Sequence, residues 1–158
     1  GISNCTNLTI PNVEYQLTNN ASSAGTCFYV LANNVTLDCK GSMVNYSQSV
    51  NGYGINITEY NYTNIKSCNI VQGNPESPSS ASYGIYIFKN SSNNAVFNNT
   101  IITLGDVAAG MYFESAYNNY VYNNNITIST ISGSGGEGIS LAGNDYNNKI
   151  YKLAILGY

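Results

Sequence analysis

The sequence predicts an all-β solenoid with no substantial helix, and three observations carry that reading. The first is a unit that recurs four times: Gly54-Ile55-Asn56-Ile57, Gly84-Ile85-Tyr86-Ile87, Gly110-Met111-Tyr112-Phe113 and Gly138-Ile139-Ser140-Leu141. The second is a partner block after each unit, at residues 65–70, 96–101, 121–126 and 150–155, whose apolar ends are always five residues apart. A fixed internal period of roughly 25–30 residues means one coil per repeat. The third is composition within the repeats. Val, Ile, Tyr, Thr and Phe dominate, which favours strands, and no stretch sustains the i, i+3, i+4 apolar spacing of a helix.

The elements follow in order along a single domain, residues 1–158, of about 5–6 coils. Residues 1–44 read as N-terminal coils, with short strands at the alternations Val13, Tyr15, Leu17, then Phe28, Val30, then Val35, Leu37. Residues 45–158 read as four repeat coils. In each, the glycine unit is a first strand, and its glycine is expected to allow a tight bend with unusual dihedrals before the strand. A polar turn follows, then a second strand and another bend. Between coils, residues 41–53, 72–83, 103–109 and 129–137 read as loops, the second marked by Pro75 and Pro78. All four fall at one phase of the repeat, so they protrude along one side.

Stacking such coils sets like side chains over like. Ile55, Ile85, Met111 and Ile139 form one apolar ladder; Ile65, Val96, Val121 and Ile150 a second; Ile70, Ile101, Ile126 and Ile155 a third. Cys68, Asn99, Asn124 and Leu153 share one position, where an inward asparagine satisfies backbone groups at a bend. Two outward columns, Asn56-Tyr86-Tyr112-Ser140 and Lys66-Phe97-Tyr122-Tyr151, give a contact stripe of Tyr86, Tyr112, Phe97, Tyr122 and Tyr151. Such a stripe either packs across strands or meets a subunit or glycan.

Charged residues are 8% of the chain and the net charge is -3. There is no histidine and no arginine, and the five basic residues are Lys40, Lys66, Lys89, Lys149 and Lys152. A nucleic-acid partner needs a basic stripe, which is absent. No apolar run reaches the length of a membrane span. The acids Glu14, Asp38, Glu59, Glu76, Asp106, Glu114, Glu137 and Asp145 show no two stacked on one strand face by repeat phase. Glycoside chemistry needs two carboxylates at a working distance, and a base near neutral pH is usually histidine. No Asp-rich loop offers the convergent oxygens of a calcium site. The expectation is no catalytic residue, no cofactor and no metal, hence no enzyme.

The four cysteines are Cys5, Cys27, Cys39 and Cys68, with no C-x-x-C pair for zinc. The spacings of 22 and 29 residues are each about one coil. Adjacent strands lie about 4.8 Å apart, within disulfide reach, so Cys5–Cys27 and Cys39–Cys68 are expected. Disulfides imply an oxidising, extracellular setting. Ten asparagines sit in sequons: Asn4, Asn7, Asn20, Asn34, Asn45, Asn56, Asn61, Asn90, Asn98 and Asn125. They read as a densely N-glycosylated surface, against the alternative of incidental sequons in an asparagine-rich solenoid.

Several segments resemble the right-handed parallel β-helix repeat proteins, in particular archaeal cell-surface and secreted members. These are Cys5, Ile10-Pro11, Tyr15-Gln16-Leu17-Thr18, Thr26-Cys27-Phe28 and the run from Asn34 through Asp38-Cys39-Lys40-Gly41, followed by the Gly-Ile-x-Ile repeats. The resemblance covers most of the chain. It implies a three-sheet β-helix and an extracellular home, and implies little about activity, since the fold hosts enzymes, adhesins and structural proteins.

Functionally, the expectation is a structural subunit at the cell surface that self-assembles head to tail. The last coil ends as an apolar strand without a polar cap, which invites edge-to-edge addition. Leu153, Ile155, Leu156 and Tyr158 are the expected assembly interface. A glycan-binding or adhesive module is the alternative, a polysaccharide-acting enzyme the third reading, and a fragment of a longer β-helix would also present an uncapped coil.

Overall fold

The computed structural model describes residues 1–73, 81–130 and 135–158. The chain winds through six rungs of three strands. Rung one holds β1 (Thr6–Leu8), β2 (Glu14–Gln16) and β3 (Ala21–Ser22); rung two β4 (Phe28–Val30), β5 (Thr36–Asp38) and β6 (Met43–Tyr46). Rung three holds β7 (Tyr53–Thr58), β8 (Asn64–Lys66) and β9 (Asn69–Gln72); rung four β10 (Tyr83–Phe88), β11 (Ala95–Phe97) and β12 (Thr100–Leu104). Rung five holds β13 (Ala109–Glu114), β14 (Tyr120–Tyr122) and β15 (Asn125–Ser129); rung six β16 (Glu137–Ala142), β17 (Lys149–Tyr151) and β18 (Ala154–Gly157).

The first strands of all rungs form one six-stranded sheet, the second strands another, and the third strands the last. Every pairing is parallel, and no helix occurs among the described residues. The fold is therefore a parallel β-helix with three faces: sheet one (β1, β4, β7, β10, β13, β16), sheet two (β2 to β17) and sheet three (β3 to β18).

The three apolar ladders stand in register. Ile55 pairs with Ile85, Ile85 with Met111 and Met111 with Ile139. Ile65, Val96, Val121 and Ile150 pair in succession, as do Ile70, Ile101, Ile126 and Ile155. From rung three to rung five these side chains are 0–1% exposed. Burying each one completely is worth about 1.5–3 kcal/mol. Both expected disulfides are present, with Cα–Cα separations of 4.6 Å for Cys5–Cys27 and 4.7 Å for Cys39–Cys68. They join rung one to two and rung two to three, and each contributes about 3 kcal/mol.

The structure corrects several expectations. The stretch 41–53 is not all loop, because β6 lies within it, and β1 and β3 are further strands that alternation did not reveal. Leu104 and Ala109 belong to strands, so the third connection shortens to 105–108. Pro75, Pro78 and Glu76 lie outside the described residues, as do 131–134 of the fourth loop.

The repeat glycines do not make bends. Gly54, Gly84, Gly110 and Gly138 lie inside strands, and none has a positive φ. They are glycine because they face inward where sheet one meets sheet three. A β-carbon on Gly84 would stand 2.5 Å from the Gly110 carbonyl oxygen and 2.6 Å from Ile101 Cγ2. Gly54 and Gly110 meet the matching atoms of their own neighbours at 2.5–2.7 Å.

Asparagine makes the bends instead. Asn12, Asn34, Tyr62, Asn93, Asn118 and Asn147 occupy one corner, two residues before each strand of sheet two, with φ between 54° and 61°. Ser67, Asn98, Asn123 and Lys152 repeat this after the sheet-two strands, with φ of 52–57°. Asparagine tolerates the left-handed region better than other side chains.

Candidate functional site

Inside the corners, asparagine columns replace backbone pairing. Asn94 Oδ1 accepts the Thr63 N–H (2.8 Å), Asn119 Oδ1 the Asn94 N–H (3.0 Å) and Asn148 Oδ1 the Asn119 N–H (3.0 Å). At the second corner, Asn99 Oδ1 accepts the Cys68 N–H (2.9 Å), and Asn124 Oδ1 accepts both the Asn99 N–H and its Nδ2 (3.0 Å each). Asn124 Nδ2 donates to Val96 O at 2.9 Å. Asn94, Asn99, Asn119 and Asn124 are at most 2% exposed. The second of these columns was expected from repeat phase; the first was not, although 94, 119 and 148 each precede a sheet-two strand by one residue.

The outer face of sheet one is aromatic. Tyr86 pairs with Tyr112 as expected, with Asn56 below and Ser140 above. Tyr53, Tyr83 and Phe88 join them, which the sequence reading missed. Tyr53 stacks on Tyr83 at 5.6 Å between centroids and Tyr83 on Tyr112 at 4.4 Å; Tyr86 stacks on Phe88 at 5.3 Å. The signal was present, since Tyr53 and Tyr83 each stand directly before a repeat glycine. The Tyr86 hydroxyl donates to Glu114 Oε2 at 3.0 Å. Burial first, then the neighbouring rings and Glu114 and Glu137, push the Tyr83 hydroxyl up to about 12. Burial, then the Glu114 hydrogen bond, pushes Tyr86 higher.

The column ends at Tyr112, because the next rung offers Ser140 rather than a ring. Beside that end lies a pocket of about 330 Å³ lined by Tyr83, Tyr112, Glu137, Ser140 and the Val107-Ala108-Ala109 segment.

Sheet two carries the other half of the expected stripe. Phe97 stacks on Tyr122 at 5.0 Å and Tyr122 on Tyr151 at 5.4 Å. The stripe is thus two separate columns on two faces. Below Phe97 on sheet two, Lys66 reaches Asp38 Oδ2 at 3.4 Å and Glu14 Oε2 at 3.8 Å, while Lys40 binds Asp38 at 3.0 Å. Glu14 and Asp38 do not stack, since Glu14 pairs with Thr36 and Asp38 with Gln16. They lie on neighbouring strands of sheet two and are joined through Lys66, outside the regular repeats whose phase was read.

Of the sequon residues, Asn4, Asn7, Asn20, Asn34, Asn90, Asn98 and Asn125 are exposed, and Asn45, Asn56 and Asn61 are half-buried. Asn34 and Asn98 are also left-handed corner residues, and Asn61 Oδ1 accepts the Ser92 N–H at 2.7 Å, so part of the asparagine content has a structural cause.

The two ends of the stack differ. At the first rung, Leu8, Leu17 and Ala21 are at most 2% exposed, and Ile2 bridges Leu17 and packs on the core. At the sixth rung, Leu141 is 52%, Ile155 49%, Leu156 49% and Tyr158 79% exposed, and Leu153 is half-buried. No helix among the described residues is long and apolar enough to cross a membrane. The fold and its faces define the chain as a disulfide-stapled parallel β-helix. Comparison with protein-family models, curated proteins and solved structures finds no match.

Proposed function

We propose that this chain is a non-catalytic, extracellular structural subunit that joins head to tail with copies of itself. The observation that carries this reading is the face of rung six. On rung six Leu141 is 52% and Ile155 49% exposed, whereas their register partners one rung earlier, Phe113 and Ile126, are fully buried. Exposed apolar surface marks contact sites.

Direction favours a head-to-tail contact. Continuing the stack keeps all three sheets parallel, whereas a two-fold contact between two sixth rungs reverses strand direction and mismatches the three faces. A heterologous contact that does not close produces an open filament. The disulfides and the exposed sequons support an extracellular, N-glycosylated surface.

The test is the size distribution of the native protein from 1 to 100 μM, by light scattering and negative-stain microscopy. The expected result is threads whose length grows with concentration, and Ile155→Lys with Leu141→Lys shortening them to single particles. Strict monomers, with residues 153–158 sensitive to protease, would overturn the proposal. A population limited to dimers would overturn the head-to-tail arrangement.

A further inference from the structure

We infer that the pocket at the end of the sheet-one tyrosine column binds a quaternary ammonium group. Three features of the pocket converge on that chemistry. Tyr83 and Tyr112 form its aromatic wall, packed 4.4 Å apart at 8°. With Tyr83 on one side of Tyr112 and Ser140 at the paired position of the next rung, the column has a terminal ring without an aromatic cover. Ring faces carry negative quadrupole density and attract organic cations. Glu137 lines the same pocket, and no lysine ion pair reaches it among the described residues.

The third feature is Val107, 51% exposed at the pocket's edge beside the buried Ala108 and Ala109. The Val107 side chain suits methyl groups, and the single carboxylate of Glu137 is too few oxygens for a metal ion, which needs several convergent ligands. A trimethylammonium group matches all three features: methyls against Val107, charge toward the Tyr112 ring and the Glu137 carboxylate. A neutral sugar would also stack on an aromatic ring and donate hydroxyls to the carboxylate, but it gains no charge attraction from either. Volume is sufficient at about 330 Å³. The inference is independent of end-to-end assembly, since the pocket lies on the side of the stack.

The experiment is a titration of the intact, disulfide-bonded chain with choline chloride, followed by the aromatic NMR signals of Tyr83 and Tyr112. Its neutral isostere, 3,3-dimethylbutan-1-ol, is the control. Choline is expected to shift these two residues saturably, and the isostere to bind about tenfold more weakly. Glu137→Gln and Tyr112→Leu should each weaken choline by about three- to tenfold. Tyr151→Leu, on another face, should leave it unchanged. Sedimentation with phosphatidylcholine vesicles then separates a free ligand from a lipid headgroup as the source of the cation. Equal binding of choline and the isostere, or no choline-dependent shift at Tyr83 and Tyr112, would overturn the inference, whatever the assembly state.

Discussion

Replacing Gly84 with alanine tests the reason for the repeat glycine. The new β-carbon would lie 2.5 Å from the Gly110 carbonyl oxygen and 2.6 Å from Ile101 Cγ2, where comfortable contact begins near about 3.5 Å. Ile101 is fully buried, and the carbonyl belongs to the next strand of sheet one, so neither neighbour yields by turning a free side chain. Overpacking of this kind costs about 1–3 kcal/mol. Gly→Ala also restricts the unfolded chain, which acts in the opposite direction by about 0.4–1 kcal/mol. The net expectation is a loss of about 1.3 kcal/mol. With an unfolding entropy of about 2.1 cal/mol/K per residue, the 158-residue chain should melt about 4 °C lower. The assay is a far-ultraviolet circular dichroism melt with disulfides intact. Gly157→Ala is the control: nothing lies within 4 Å of its added carbon, and its effect should stay within about 0.5 kcal/mol. A Gly84→Ala chain that melts at or above the parent temperature refutes the steric account and restores a conformational one.

Two further outcomes are expected. Asn124→Ala removes the acceptor for two Asn99 groups and the donor to Val96. Leaving those buried groups unpaired should cost about 3 kcal/mol or more in urea unfolding, whereas Asn123→Ala, at an exposed corner, should cost less. In alkaline titration read by tyrosinate absorbance, Tyr46, Tyr53, Tyr83, Tyr86 and Tyr112 should ionise after the other tyrosines, because burial raises each of them. Their folded values lie above the ordinary value near about 10. The stability they confer is therefore complete below that pH and is lost as pH rises through the folded values. Tyr46→Phe should make alkaline unfolding shallower.

The ladders and both disulfides were legible because one number, the repeat period, fixes which residues lie over which. Ile55, Ile85, Met111 and Ile139 needed nothing more. The role of the glycines was not legible. Their obstruction comes from the next strand's carbonyl in sheet one and from Ile70, Ile101 and Ile126 in sheet three, and no linear pattern shows which corner of the cross-section is tight. β1, β3 and β6 escaped because they are only two to four residues long, too short to show an alternation. Rung two also carries a wider corner, with Asp38 and Met43 five apart where Lys66 and Asn69 are three apart, which breaks the period there. The pocket beside Tyr112 was half legible. Its tyrosine was in the expected stripe, but Glu137 opens β16 and Val107 lies in a connection, and both follow segments whose lengths differ from coil to coil.

The placement of the two disulfides has a mechanical consequence. Force applied along the stack pulls directly on the hydrogen bonds between successive rungs, since the strands run across the axis. Cys5–Cys27 and Cys39–Cys68 tie the first three rungs together covalently, so tension cannot separate those layers. Rupture is confined to the three later junctions, which rest on backbone ladders, apolar columns and asparagine amides alone. Under load the later layers should part before the first three, one at a time.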